Sequence, residues 1–160
     1  MYKLIISLIF IFSLVACDSK PISTVDDSRG EKIVDITEKP WRFADYQGQW
    51  IIVNYWASWC KPCITEVPEL EAFYKSHLNK DAIVLGVNFD FYNKEDTIAL
   101  AKKYGMTYPV LTSENDPRAQ LGVEPIMVLP TTFIINPEGQ VVHKLIGEQT
   151  QAGLEKRMEK

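Results

Sequence analysis

The sequence predicts an α/β fold in which helices flank a central mixed sheet. Apolar runs rich in β-branched residues begin at Trp50 and at Ala82, and each indicates a strand buried on both faces. A segment with helical spacing of its apolar residues separates the two runs. Strand, helix and strand in this order imply a parallel pair with a right-handed crossover. Two later strands around the turn 136–139 form a hairpin, which adds antiparallel pairing.

The composition fits one domain with its own core. The chain has 160 residues, a net charge of −4 and 46% hydrophobic residues. A mildly acidic chain without a basic cluster lacks the electrostatic footprint of a nucleic-acid-binding protein. We therefore expect no nucleic-acid partner. We also expect the protein to be a monomer.

Residues 1–16 are predicted to be a lipoprotein signal peptide. One early charge, Lys3, precedes an apolar run from Leu4 to Val15 that only two serines interrupt. Such a run is too short to be a comfortable membrane-spanning helix and matches the core of a signal peptide.

The apolar run ends in Leu14-Val15-Ala16-Cys17, which resembles a bacterial lipobox. The resemblance implies that the Cys17 thiol is lipidated and that the chain is cut just before it. Two or more acyl chains give stable membrane anchoring. Asp18 resembles an inner-membrane retention signal, which matters only in a cell with two membranes. The alternative is an uncleaved N-terminal anchor with a free thiol, and both interpretations place the domain outside the cytoplasm, in the periplasm or another extracytoplasmic space.

Residues 17–30 are predicted to be the lipidated cysteine and a flexible tether, and residues 31–160 the folded domain. The stretch 18–30 is polar and contains Pro and Gly but few large apolar residues. A coil of about 13 residues has an end-to-end distance of roughly 20 Å. From Ile33 onwards apolar residues alternate, which predicts a short edge strand.

Cys60-Lys61-Pro62-Cys63 follows the first buried strand and begins a helix. Cysteines three positions apart at a helix start can form a disulfide, which needs Cα atoms about 4.4 to 6.8 Å apart. Unpaired N–H groups and the helix dipole stabilise a thiolate at this end of the helix, and Lys61 adds positive potential. We therefore predict a redox pair with Cys60 as the nucleophile and Cys63 as the resolving cysteine.

Two other interpretations of the cysteine pair are open. A zinc site would need two further ligands, and the only other soft candidates are Cys17, His77 and His143. The pair could also consist of inert core cysteines. A proline in the first turn of the helix and the exposed-looking Ala-Ser-Trp turn before the pair favour chemistry instead. We expect no metal and no cofactor.

The rest of the chain adds helices and strands in alternation. Helices are predicted over 95–104, ending at Gly105, and over 149–158. A short strand is predicted over 108–112. One or two helical turns are predicted over 116–121, with Asp116 as the cap.

The string W-A-S-W-C-K-P-C at 56–63 and the string L-P-T-T-F at 129–133 closely resemble the membrane-anchored thioredoxin-like proteins of the TlpA/ResA type. The resemblance runs from Ile33 to the C-terminus. It implies a thioredoxin fold with a short N-terminal β extension and a thiol-disulfide oxidoreductase activity.

The same resemblance implies where the substrate docks. The proline that matches Pro130 is cis in the family and presents the backbone of the preceding residue to an extended substrate. The segment Gly122–Leu129 is longer than in the family, so Pro125 and Met127 are further candidates to line the groove. The predicted substrate-binding residues are Trp59, Lys61, Pro62, Leu129 and Thr131.

Glu66 is the predicted proton acceptor. Cytoplasmic thioredoxins carry a buried aspartate where this chain has Asn54, and the TlpA/ResA type commonly has a glutamate that matches Glu66. This residue lies one helical turn beyond Cys63 and would accept the proton of the Cys63 thiol. The alternative is a solvated glutamate favoured only by the helix dipole.

The predicted function is reduction of protein disulfides outside the cytoplasm, as in cytochrome c maturation or copper-site assembly, with electrons from a membrane thiol donor. Two alternatives belong to other classes. A copper metallochaperone of related fold would need C-x-x-x-C and a distal histidine, for which His143 is the downstream candidate. A thiol peroxidase would carry its reactive cysteine in a different turn, near a threonine.

Overall fold

The structure of the protein is a computed structural model that describes residues 20–159. The predicted signal peptide and Cys17 lie outside these residues. The strands are β1 Ser23–Thr24, β2 Ile33–Val34, β3 Pro40–Trp41, β4 Trp50–Trp56, β5 Ala82–Asn88, β6 Val110–Leu111, β7 Thr131–Ile135 and β8 Gln140–Ile146. The helices are α1 Lys61–His77, α2 Lys94–Tyr104, α3 Arg118–Leu121 and α4 Gln151–Met158, with short 3-10 turns at Phe43–Tyr46 and Ser113–Asn115.

The central sheet is mixed, as predicted, and the fold is the thioredoxin fold. Its six strands lie in the order β1-β8-β7-β4-β5-β6. β4 pairs in parallel with β5, from Trp50 opposite Ala82 to Trp56 opposite Asn88. On its other side β4 pairs antiparallel with β7, where Tyr55 lies opposite Thr131. This central position explains why β4 is apolar on both faces.

Two cores lie on the two faces of β4. Because side chains alternate along a strand, Ile52 and Trp56 face one core, and Ile51, Val53 and Tyr55 face the other. Helix α1 packs on the Ile52 side through buried residues that include Leu70 and Phe73. The sheet therefore holds the start of α1 at the carboxyl end of β4.

The predicted helices are confirmed with small shifts at their ends. Asn93 caps α2 by accepting a hydrogen bond from the Asp96 N–H at 2.8 Å, and α2 ends at Gly105 with a φ of 76°. Helix α4 begins two residues later than predicted, because the Thr150 side chain caps it by accepting from the Gly153 N–H. Helix α3 begins after Pro117 rather than at Asp116.

The prediction of a flexible tether is wrong for residues 22–30, which lie against the domain. Ser23 and Thr24 form an edge strand that pairs antiparallel with β8. Asp27 caps a distant 3-10 turn, since its carboxylate accepts hydrogen bonds from the Phe43 N–H at 2.9 Å and the Ala44 N–H at 2.8 Å. Polar side chains here bond to the domain, which composition does not reveal.

The predicted short strand at Ile33 is confirmed as half of a small hairpin. β2 pairs antiparallel with β3, with Ile33 opposite Trp41. Both side chains are buried in the second core. Within residues 20–159, no helix has the length and apolar character required to cross a membrane.

Candidate active site

Cys60 and Cys63 form a disulfide at the start of α1. Their Cα atoms are 5.3 Å apart. β4 ends at Trp56, and the turn 57–59 brings the chain directly into the helix. Pro62 lies in the first turn of α1, where a proline removes no helical hydrogen bond. The predicted pairing of these two cysteines is therefore confirmed.

The two sulfurs occupy different environments. Cys60 is the N-cap of α1, and its sulfur accepts a hydrogen bond from the Cys63 N–H at 3.3 Å. Cys60 is 5% exposed, whereas Cys63 is fully buried. A thiolate on Cys60 would gain from this N–H group and from the positive end of the helix dipole. The geometry therefore gives Cys60 the better position for attack on an incoming sulfur.

Glu66 lies in a buried polar cluster beneath the cysteines. Its side chain is 1% exposed, which excludes the alternative of a solvated surface glutamate. The Asn54 side-chain amide donates to Glu66 Oε1 at 2.8 Å, and the Gln149 backbone N–H donates to Oε2 at 2.9 Å. Asn54 also donates to the Thr132 hydroxyl at 3.1 Å.

Burial raises the pKa of Glu66 to about 7, and the nearby Glu148 carboxylate adds to this effect. The hydrogen bonds from Gln149 and Asn54 oppose the shift because they stabilise the carboxylate. Burial, together with Glu66 and Glu71, also raises the pKa of Tyr108, so the phenol beside the cluster stays protonated. A carboxyl group with a pKa near neutrality can both accept and return a proton near pH 7.

The Leu129–Pro130 peptide bond is cis, as the resemblance implies. Pro130 is buried, and its carbonyl accepts a hydrogen bond from the Gly147 N–H at 3.0 Å. The loop after β8 therefore holds Pro130 through Gly147 and Glu66 through Gln149. One loop positions both the proline and the carboxylate.

The predicted substrate-binding residues divide into an exposed group and a buried one. Trp59 and Lys61 are exposed beside the disulfide, and Leu129 is partly buried. Thr131 is buried, and its hydroxyl donates to the Val128 carbonyl at 2.7 Å. Its side chain therefore lies below the surface that a substrate could reach. Met127, in the long segment before Leu129, is almost fully exposed.

Sequence reasoning missed the contacts that hold the turn before Cys60. The Asp90 carboxylate, which is buried, accepts from the Ser58 N–H at 2.7 Å and from the Asn88 side chain at 3.1 Å. Sequence reasoning also missed that Asn54 binds Glu66. An asparagine in the middle of an apolar strand is a usable signal here, because a buried amide needs a partner.

His143 does not lie beside the disulfide. His143 pairs with Ile134 in the sheet. The active-site end of β8 is Ile146, which pairs with Thr131 and lies three residues further along the strand. Burial lowers the pKa of His143, and the positive charge of Arg157, near the C-terminal end of α4, lowers it further. Among residues 20–159, no group of three or more His, Cys, Asp or Glu side chains is arranged to hold a metal ion.

The known proteins that are similar to this chain include thiol-disulfide oxidoreductases, in agreement with the cysteine pair at this site. A sequence model described as the AhpC/TSA family matches residues 26–144. Two curated relatives are thiol-disulfide oxidoreductases named ResA. The Bacillus cereus protein is 31% identical over 80% of this chain and 72% of its own length. The Bacillus subtilis protein is 31% identical over 89% of this chain and 78% of its own length.

A solved structure is similar over most of the chain. The crystal structure of a DsbF homologue from Corynebacterium diphtheriae has a TM-score of 0.70 and 26% sequence identity. The match covers 88% of this chain and 93% of that one.

Proposed function

Since the chain belongs to the AhpC/TSA family and, within it, to the ResA type of thiol-disulfide oxidoreductase, we propose that it reduces protein disulfides outside the cytoplasm. The observation that carries the direction of this reaction is the buried Glu66, one helical turn from Cys63. Cys60 is the nucleophile, Cys63 the resolving cysteine and Pro130 the docking point of the substrate backbone.

The reaction proceeds by two exchanges. The Cys60 thiolate attacks one sulfur of the substrate disulfide, and the other substrate sulfur leaves and takes up a proton. The Cys63 thiol then gives its proton to the Glu66 carboxylate and attacks the Cys60 sulfur of the mixed disulfide. The second substrate sulfur leaves as a thiolate and takes up a proton, Glu66 releases the proton that it accepted, and the protein keeps the Cys60–Cys63 disulfide. A thiol donor in the membrane returns two electrons and two protons to the pair.

Glu66 favours the reducing direction for an electrostatic reason. An ionised Glu66 carboxylate repels a thiolate near it. The reduced cysteine pair is therefore less stable than it would be beside a neutral residue. A dithiol whose reduced form is not strongly stabilised has a low reduction potential, as thioredoxin does, whereas the strong oxidant DsbA has a stabilised reduced form. The two extremes differ by about 150 mV, or roughly 7 kcal/mol for two electrons. We therefore expect a potential nearer the thioredoxin end.

The direction is tested by two measurements on the same cysteine pair. Rapid alkylation of cells with a mass-shifting thiol reagent should find Cys60 and Cys63 mostly reduced. Equilibration of the purified protein in glutathione buffers should give a potential near that of thioredoxin. A pair that is oxidised in cells and has a potential near that of DsbA would contradict the reductase proposal.

The roles of the two cysteines are tested by trapping. Cys63→Ser should accumulate mixed disulfides with substrate proteins through Cys60, because nothing then resolves them. Cys60→Ser should trap none above background. Equal yields from both variants would contradict the proposed asymmetry.

The proposed location rests on the N-terminal sequence. The apolar run and Leu14-Val15-Ala16-Cys17 support export and lipid attachment at Cys17, with the domain on the outer face of the cell membrane. Cys17→Ala should leave an uncleaved precursor. Mature protein of normal mobility that still fractionates with membranes would contradict lipid attachment at this residue.

A further inference from the structure

Large aromatic side chains are exposed at the active-site end of the sheet. Phe91 is 94% exposed and Trp59 is 70% exposed, and Tyr92 is also exposed. Together with Phe89 and Asp90 they line a cavity of about 340 Å³. Contiguous apolar surface of this kind usually marks an interaction site. We call residues 89–92 the aromatic loop.

The aromatic loop is fixed to the turn that carries Cys60. The Phe89 N–H donates to the Trp56 carbonyl at 2.7 Å. The Asp90 carboxylate accepts from the Ser58 N–H at 2.7 Å, and the Asp90 N–H donates to the Asn88 side chain at 2.9 Å. The exposed rings are therefore carried on a preformed support, which lowers the entropic cost of binding a partner there.

Topology places the aromatic loop on one side of the disulfide and Leu129 on the other. The loop follows β5, and Leu129 precedes β7, while β5 and β7 are the two neighbours of β4. A substrate chain that docks at Leu129 and presents its sulfur to Cys60 can therefore continue across the disulfide to the loop. The cavity begins one residue from the reacting sulfur, because Trp59 directly precedes Cys60.

We propose that the aromatic loop determines substrate specificity by binding a large apolar side chain one or two positions from the reacting cysteine of the substrate protein. The cavity presents aromatic rings, and not a charged group, to a bound side chain. Its one carboxylate, that of Asp90, is buried and already hydrogen-bonded. An apolar side chain therefore gains from contact with Phe91 and Trp59, whereas a charged one would lose hydration. This inference rests on the proposed reductase function.

The test compares two disulfide peptides of equal length. Each peptide carries one cysteine in a mixed disulfide with the same small thiol, and the neighbouring residue is Phe in one and Ser in the other. Reduction by dithiothreitol corrects for their intrinsic reactivity. The reduced protein should have about tenfold higher kcat/KM for the Phe peptide, which corresponds to about 1.4 kcal/mol. Phe91→Ser should remove most of this preference.

Ile98→Ser is the matched control, since Ile98 is an exposed apolar residue on α2 away from the cavity. It should keep the full preference and reduce the symmetric disulfide of the small thiol as fast as the unaltered protein. Equal rates for the two peptides, or a preference that survives the double variant Phe91→Ser/Tyr92→Ser, would overturn this inference alone. Failure of the unaltered protein to reduce the small disulfide would overturn the proposed function and this inference with it.

Discussion

Glu66 changes its charge near neutral pH because burial raises its pKa to about 7. The rate at which Cys63 resolves a mixed disulfide should therefore rise with pH and show an inflection near pH 7. Glu66→Gln should remove this inflection and leave only the titration of the thiols. The measurement is the decay of a preformed mixed disulfide, sampled by rapid acid quench between pH 5 and pH 9.

Glu69→Gln is the control for the rate measurement, because Glu69 lies on the same helix but is exposed. Its profile should match that of the unaltered protein. An inflection near pH 7 that persists in Glu66→Gln would show that another group accepts the proton.

The same carboxyl group should also make the stability of the oxidised protein depend on pH. Its pKa is higher in the folded state, about 7, than the ordinary value of 4.5 in the unfolded chain. The folded state therefore binds the proton more tightly, and this stabilisation is lost as pH rises through 7. Relative to Glu66→Gln, the free energy of unfolding should fall by about 3 kcal/mol between pH 4 and pH 8. Urea unfolding of both proteins at the two pH values measures the difference, and equal changes would contradict the raised pKa.

At the scale of single residues, the chemistry was predictable and the burial was not. The spacing of Cys60 and Cys63 and the place of Glu66 one turn later are local features of the sequence. The burial of Glu66 depends on Asn54 and Gln149, which are 12 and 83 residues away along the chain. A sequence does not show which distant groups will enclose a side chain.

At the scale of elements, the attachment of the N-terminal segment 22–30 to the domain can be tested directly. Asp27 holds residues 22–30 to the domain by accepting two backbone hydrogen bonds from Phe43 and Ala44. Asp27→Ala should lower the free energy of unfolding by about 1 kcal/mol, the usual cost of losing a helix cap. It should also speed amide hydrogen exchange in β1.

Asp26 is the matched control for this prediction. Among residues 20–159, its carboxylate bonds only to Ser28 and Arg29, within the same turn. Asp26→Ala should leave hydrogen exchange in β1 unchanged. Similar exchange in the two variants would mean that Asp27 does not hold the segment.

The elements predicted from sequence are those with local signals. β4, α2 and the β7–β8 hairpin each have a clear period, a cap or a proline and glycine turn. β1 has none of these, because two residues at a sheet edge carry too little pattern. β1 forms because this segment lies along the open edge of β8, where the Ile22 N–H donates to the Val141 carbonyl at 2.7 Å.

At the scale of the whole molecule, the docked segment shortens the proposed tether to residues 17–21. Insertion of twenty Gly and Ser residues between Ser19 and Lys20 should lower the rate of reduction by a membrane donor. Effective concentration falls roughly as the −3/2 power of linker length, which predicts about a tenfold loss for a fivefold longer tether. The measurement is re-reduction of the Cys60–Cys63 disulfide in membrane vesicles. Re-reduction by added dithiothreitol is the control and should not change, whereas an unchanged rate with the membrane donor would contradict a length-limited encounter.

The direction of β1 has a consequence for how the molecule faces its surroundings. β1 runs antiparallel to β8, and β8 ends with Ile146 opposite Thr131, at the disulfide end of the sheet. The chain before Ser23 therefore leaves the domain towards the disulfide. Cys17 and Ile22 are at most about 18 Å apart along a fully extended chain. With a lipid on Cys17, so short a tether would favour orientations in which the reactive surface lies near the bilayer, so that proteins embedded in the membrane or lying on it would meet the disulfide more often than freely diffusing proteins would.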